Sequence, residues 1–127
     1  LIMKVQKKNR KFKNKSKLNQ QIVESAIITL SNNEQISLVE KVGRSNKEYD
    51  IVKKNWGYYV TPSINKRLKF FKYECALVRN SKNKFYICMT NKEKKKSFLN
   101  YLKKDNQKII CWFHEKNLKN ISKFFKK

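Results

Sequence analysis

From Trp56 to Phe113 the chain alternates between two hydrophobic periods, and no other feature narrows its fold as much. Trp56-Gly57-Tyr58-Tyr59-Val60 is aromatic and β-branched, the composition of a strand. Thr61-Pro62-Ser63 reads as a helix start, with Thr61 at the N-cap and Pro62 at the first helical position, where a missing N–H costs nothing. Ile64, Leu68 and Phe71 then recur at the spacing of one helical face. Residues 73–79 and 84–90 read as strands joined by the turn Asn80-Ser81-Lys82-Asn83. Residues 92–104 read as a second helix burying Phe98, Leu99 and Leu102, and 107–113 as a last strand. The order β-α-β-β-α-β predicts a split-βαβ, ferredoxin-like core over 55–113, an α+β fold with two helices on one face of a four-stranded antiparallel sheet.

The flanks extend this core. Residues 22–42 hold two β-branched runs around Ser31-Asn32-Asn33-Glu34 and predict a β-hairpin, which with the short run ending at Val52 forms an extension over 22–52. Residues 115–126 set Leu118, Ile121, Phe124 and Phe125 on one side of a C-terminal amphipathic helix and lysines on the other; closing the core is the default role of such a stripe. Residues 20–127 are therefore expected to form a single domain. Residues 1–19 stand apart. Lys4, Lys7, Lys8, Arg10, Lys11, Lys13, Lys15 and Lys17 have no acid among them, and like charges this dense form no packed face alone. An extended basic arm that orders on a partner is the expectation.

The arm is the extreme of an imbalance that runs through all 127 residues: 32 Lys and Arg against 9 Asp and Glu, a net charge of +23. Lys outnumbers Arg 28 to 4 and Asn occurs 15 times, as an AT-rich genome dictates. Such a genome does not deplete Glu, so the scarcity of acids belongs to the protein itself. A fold with this surplus repels itself and is best tolerated beside a polyanion. The expected partner is RNA, structured and ribosomal, with proteins of the same assembly as further contacts. Phosphate contacts are assigned to Lys7, Lys8, Arg10, Lys11, Lys13, Lys15 and Lys17 of the arm. Ser63, Lys66 and Arg67 join them at the expected helix start, whose free N–H groups attract anions. Arg79 joins the set, because arginine in a chain that defaults to lysine marks a need for a planar fork, and Lys84 joins it as the basic residue that opens the aromatic strand at 84–90. Two alternatives from other classes stay open: a DNA-binding regulator, and a peripheral membrane or protein-docking module built on Phe124 and Phe125.

Aromatics interleave with these cations on the strands at 56–60 and 84–90. In layout, residues 55–113 resemble the RNA-recognition-motif family, whose central strands stack bases on exposed aromatics. Lys84-Phe85-Tyr86-Ile87-Cys88-Met89 keeps the basic residue and one aromatic in phase with that family's third-strand signature but lacks its glycines. Val60-Thr61-Pro62 stands where the first-strand signature ends in Asn-Leu. The resemblance implies base stacking on the sheet. Strand parity sends Phe85, Ile87 and Met89 toward the helices and leaves Tyr86 on the open face, with Tyr58 or Tyr59 as its companion.

No catalytic constellation emerges. Gly43 and Gly57 are the only glycines, which excludes a phosphate-cradling loop. His114 has no nucleophile at a recognisable spacing, and Asp50 with Glu74 lacks the Glu-x-Lys element of metal-dependent nucleases, since Cys75-Ala76 follows. Cys75, Cys88 and Cys111 are odd in number with no C-x-x-C pair, so neither metal nor cofactor is expected. Each lies in a strand-like run as a small buried hydrophobe, and free thiols suit a reducing compartment, cytoplasmic or organellar. No run approaches the roughly 18 apolar residues that span a bilayer. Lysines from Lys4 onward interrupt any secretory h-region.

Overall fold

The computed structural model describes residues 3–13 and 21–126, in two compact units, Leu1–Pro62 and Ser63–Lys127. In the first unit, β1 (Lys4–Lys13) and β2 (Gln21–Thr29) form a two-stranded antiparallel ribbon. The stretch expected to be an unpaired arm is thus, over residues 4–13, a strand. It can pair because β2 supplies β-branched residues of which β1 has only Val5: Ile28 faces Val5, Val23 faces Lys11 and Ile22 faces Phe12. Repulsion along β1 is relieved at one point, where Glu24 faces Arg10 and its Oε1 accepts from Arg10 Nε at 3.2 Å. Between Lys7 and Arg10 the register shifts, a bulge that increases local twist.

The expected hairpin between the two β-branched runs is not formed, since β2 is already paired with β1. Instead the turn at Ser31–Glu34, where Ser31 N donates to Glu34 Oε1 at 2.6 Å, carries the chain into a three-stranded antiparallel meander of β3 (Gln35–Val42), β4 (Ser45–Lys54) and β5 (Gly57–Val60). Val42 pairs with Ser45 across a two-residue loop that needs Gly43 at φ +61°. Lys54 pairs with Gly57 across another, and Trp56, expected inside a strand, occupies that turn. Ile36, Ile51 and Val60 share one face and, with Ile28 and Leu30, line an apolar groove of ≈ 500 Å³.

In the second unit, β6 (Tyr73–Arg79) lies between β7 (Phe85–Asn91) and β8 (Lys108–Trp112), antiparallel to both. One helical turn, α1 (Arg67–Phe70), precedes the sheet. A 3-10 turn (Lys92–Lys94) leads into α2 (Lys95–Lys104), and α3 (Glu115–Phe124) follows β8. Leu102 of α2 is buried with Ala76 and Val78 of β6, and Cys88, Phe98, Tyr101, Ile109 and Trp112 pack around them. The Phe98 ring meets Trp112 edge-on at 5.9 Å.

The elements between 56 and 113 appear in the expected order, but the fold is α+β with separate antiparallel sheets and not one four-stranded ferredoxin-like sheet. The strand expected to open that sheet is β5, and it pairs with β4, Tyr59 opposite Val52 and Val60 opposite Ile51. A two-residue turn makes this pairing local, whereas the split-βαβ arrangement requires a crossover with a larger closure cost. Thr61-Pro62-Ser63 does not start a helix for a related reason. Thr61 N donates to Asp50 O at 3.0 Å and Thr61 Oγ1 to Asp50 Oδ2 at 3.2 Å, which ties this segment to β4. Helix is confined to Arg67–Phe70, with Lys66 at its N-cap and no side-chain bond there.

The helix α2 divides its leucines sharply: Leu102 is 3% exposed and Leu99, expected in the core, 43%. Leu102→Ala should cost about 2–5 kcal/mol in urea unfolding followed by helix circular dichroism, and Leu99→Ala no more than about 0.5 kcal/mol.

Candidate nucleic-acid interface

The ten residues of β1 are all exposed, and six of them are cations. Register puts Lys7, Arg10 and Phe12 on one face of the ribbon and Lys4, Lys11 and Lys13 on the other. Arg10 is engaged within the ribbon, ion-paired to Glu24 and with its guanidinium 4.9 Å from the centre of the Phe12 ring. Among the described residues no carboxylate pairs with Lys4, Lys7, Lys8, Lys11 or Lys13. Lys15 and Lys17, assigned to the same arm, lie outside the described residues.

The tyrosines expected to form one stacking platform belong to different sheets, Tyr58 and Tyr59 to the meander of the first unit and Tyr86 to the sheet of the second. Tyr58 shares a face of the meander with Lys53, whose Nζ stands 5.4 Å from the ring centre. Tyr59 stacks on Trp56 at 6.0 Å. As neighbours in a strand, the two tyrosines point to opposite faces. Tyr86 belongs to the other sheet, and there the expected parity is reversed. Tyr86 faces Val78 and Cys88 faces Ala76, so both lie on the side that α2 covers, while Phe85, Ile87 and Met89 lie on the opposite side with Leu77. The physical reason sits on the central strand: Ala76 and Val78 are small enough for a helix to seat Leu102 and Phe98 against them. The bulkier set is left facing away, Phe85 57% and Ile87 73% exposed.

Ser63, Lys66 and Arg67 do not build an anion site at a helix N-terminus, because the helix there has only four residues. Ser63 Oγ accepts from Arg67 N at 3.4 Å and Ser63 O from Leu68 N at 3.0 Å, so the serine shapes the turn. The Arg67 guanidinium stands 5.8 Å from the Phe71 ring centre, and Lys66 is exposed.

Arg79 is placed otherwise. It ends β6 directly between Phe85 of β7 and Lys108 of β8. At this end of the sheet opens a cleft of ≈ 560 Å³ whose cations are Arg79, Lys103 and Lys108. Four carboxamides, Asn80, Asn83, Asn106 and Gln107, complete its polar wall, and no carboxylate lines it. Lys84 contributes through its backbone, its N–H donating to Asn80 Oδ1 at 2.9 Å. Sequence reasoning had singled out Arg79 but missed Lys103, Lys108 and the amides. The available signal was the pair of Asn-bearing turns, at 80–83 and at 105–107, that flank it.

The opposite end of the sheet is different in character. A cleft of ≈ 500 Å³ there mixes Lys69, Lys72 and Lys92 with Glu74, Glu93 and His114. Lys72 pairs with Glu93 at 3.7 Å and Lys95 with Glu74 at 3.6 Å, while His114 caps α3, its Nδ1 accepting from Asn117 N at 3.4 Å. Asp50 belongs to the first unit, where its carboxylate accepts from Thr61. No cluster of three metal-ligating side chains occurs among the described residues. None of their helices is long and apolar enough to cross a membrane.

Comparison with known protein families, with curated proteins and with solved structures finds no match for this chain.

Cys75, Cys88 and Cys111 form no disulfide. Burial pushes the Cys75 and Cys88 thiols above their ordinary range, and the proximity of Cys88 adds to the effect at Cys75. Burial also raises Tyr101, with Asp105 and Cys88 contributing. A raised pKa keeps a thiol protonated and unreactive at neutral pH. Alkylation by iodoacetamide at Cys75 and Cys88, followed by peptide mass spectrometry, should therefore be slower in the folded protein than in urea, and should accelerate only above the ordinary thiol range.

Proposed function

We propose that this protein is a non-catalytic RNA-binding component of a ribonucleoprotein such as a ribosome. The observation that carries the reading is β1: a strand of ten exposed residues bearing six cations, paired into an ordered ribbon in which only Arg10 has a carboxylate partner among the described residues. A ribbon of this kind lays ammonium groups along a polyphosphate with part of the ordering entropy already met by pairing to β2. Neutralising phosphates releases counterions, which supplies affinity without sequence readout. The outward lysines of α2 and α3, among them Lys96, Lys103, Lys116 and Lys123, extend the same chemistry to the second unit. Phe124 and Phe125, both exposed and packed edge-on at 4.9 Å, suit contact with another protein of the assembly. The three unbridged thiols suit a reducing compartment.

One observation favours a second reading. A two-stranded ribbon exposed on both faces has the dimensions that the major groove of B-form DNA admits, whereas the major groove of A-form RNA is deep and narrow. A DNA-binding regulator would use the ribbon in that way. Competition separates the two: unlabelled structured RNA should displace labelled RNA from the protein well below the concentration at which duplex DNA does, and the reverse order would favour DNA.

The triple variant Lys7→Gln/Lys8→Gln/Lys11→Gln should bind every structured RNA more weakly in dilute salt. Its plot of log affinity against log salt should be shallower by about 2–3 units, three phosphate contacts at roughly 0.7–0.9 each. An unchanged slope would remove the ribbon from the interface.

A further inference from the structure

Across the sheet of the second unit, Phe85, Arg79 and Lys108 lie in one row, side by side on β7, β6 and β8 and on one face. Like charges directly opposite each other on paired strands are destabilising. No carboxylate relieves Arg79 or Lys108 among the described residues. The carboxylate nearest in sequence to Lys108, that of Asp105, is buried and accepts from Gln107 Nε2 at 2.6 Å. A bound anion would turn this local repulsion into attraction.

The walls of the adjoining cleft are held in place by their own turns. Asn80 Oδ1 accepts from Lys82 N at 3.0 Å and from Lys84 N at 2.9 Å, and Asn83 sits at φ +60° with its N–H on Asn80 O at 3.1 Å. On the other lip, Asn106 sits at φ +54° with its N–H on Lys103 O at 3.3 Å, and Gln107 N donates to Leu102 O at 2.9 Å. Walls ordered before binding spare a ligand that ordering cost.

The chemistry of the lining narrows the ligand. A simple anion asks for donors alone, yet here carboxamides stand among the cations: with Asn80 Oδ1 and Gln107 Nε2 held within their own turns, Asn80 Nδ2 remains as a donor and Gln107 Oε1 as an acceptor. Phosphate together with a base edge asks for that mixture. An exposed ring, Phe85, stands next to Arg79 in the row and offers a stacking face. A base paired within a duplex presents neither its Watson–Crick edge nor an open ring face, so the ligand is unpaired.

We infer that the cleft at the Arg79 end of this sheet, with Phe85 beside it, holds an unpaired nucleotide of RNA: base on Phe85, base edge on the amides, phosphates on Arg79, Lys103 and Lys108. The inference rests on the RNA-binding reading above and assigns a loop or bulge of that RNA to the second unit.

The test uses the full-length protein and fluorescence anisotropy with two labelled RNAs, a hairpin with an unpaired loop and the same stem as a blunt duplex. Phe85→Leu keeps the apolar bulk and removes the ring, and Arg79→Gln removes the charge. Phe85→Leu should weaken loop binding by about 5- to 150-fold, the factor expected for one stacked base; Arg79→Gln should weaken it as well, and both should change duplex binding less than about twofold. Phe85→Tyr should restore loop binding, which a merely structural loss would not allow, and thermal melts of all three variants check their fold. Equal losses on both RNAs, or none on either, would overturn the inference while leaving the RNA-binding reading standing. Wild-type protein that binds neither RNA would overturn both. Displacement of the loop RNA by a polyglutamate peptide, at concentrations where the blunt duplex does not displace it, would assign the cleft to another ligand and also overturn it.

Discussion

Nine carboxylates cannot balance 32 cations, so wherever this chain folds most of its positive charge must stay at the surface and find its counter-charge outside. Burying an unpaired charge costs more than a small domain can offset. Among the described residues the buried apolar side chains are accordingly few: Leu68, Tyr73, Cys75, Ala76, Val78 and Leu102 in the second unit, Leu30 and Val52 in the first. Several of the acids form ion pairs, Glu115 with Lys119 along α3 among them. Glu24 holds Arg10 across the ribbon, Glu74 holds Lys95 between β6 and α2, and Glu93 holds Lys72 beside the start of α2. Exposed pairs of this kind contribute about 0.2–1 kcal/mol each, so their effect is more on register than on total stability.

Two surfaces result, with different chemistry. The ribbon is exposed on both faces and carries six cations on β1, a surface suited to phosphates of any sequence. The cleft at the Arg79 end of the second sheet is concave and set with amides as well as cations. In the proposed account the first supplies the salt-dependent share of affinity and the second the preference for an unpaired base. A division of this kind needs no large apolar core in either unit. In that account the exposed Phe85 ring beside Arg79 has a partner.

Much of the second unit was legible in the residues. The strands around Tyr73–Arg79 and Phe85–Asn91, the Asn80–Asn83 turn, and the helices Lys95–Lys104 and Glu115–Phe124 all follow from local periodicity and from turn chemistry. Pairing partners were not legible, because they depend on competition between segments that no single window contains. Ile22 and Val23 suit a strand whichever neighbour they take; β1 becomes that neighbour because Val5 and Phe12 fall opposite β-branched residues and Glu24 opposite Arg10. Tyr58 and Tyr59 likewise suit a strand, and the two-residue turn after Lys54 binds them to β4 before any crossover can form. The buried face of β7 is not legible in that strand's own residue sizes, because the helix seat is decided by Ala76 and Val78 on its neighbour. Of the proposed site residues, the β1 lysines and Arg79 stand out by charge and rarity, whereas Asn80 and Asn83 read only as turn formers and Gln107 as the start of a strand.

The central claim is that the surplus charge exists to meet RNA phosphates. Its most direct test is the ratio of absorbance at 260 and 280 nm for the freshly purified full-length protein, taken before and after a high-salt wash and after separate ribonuclease and deoxyribonuclease treatments. The account predicts a ratio well above that of protein alone, lowered by salt and by ribonuclease but not by deoxyribonuclease. A protein-like ratio from the outset, in a preparation never exposed to high salt, would contradict it.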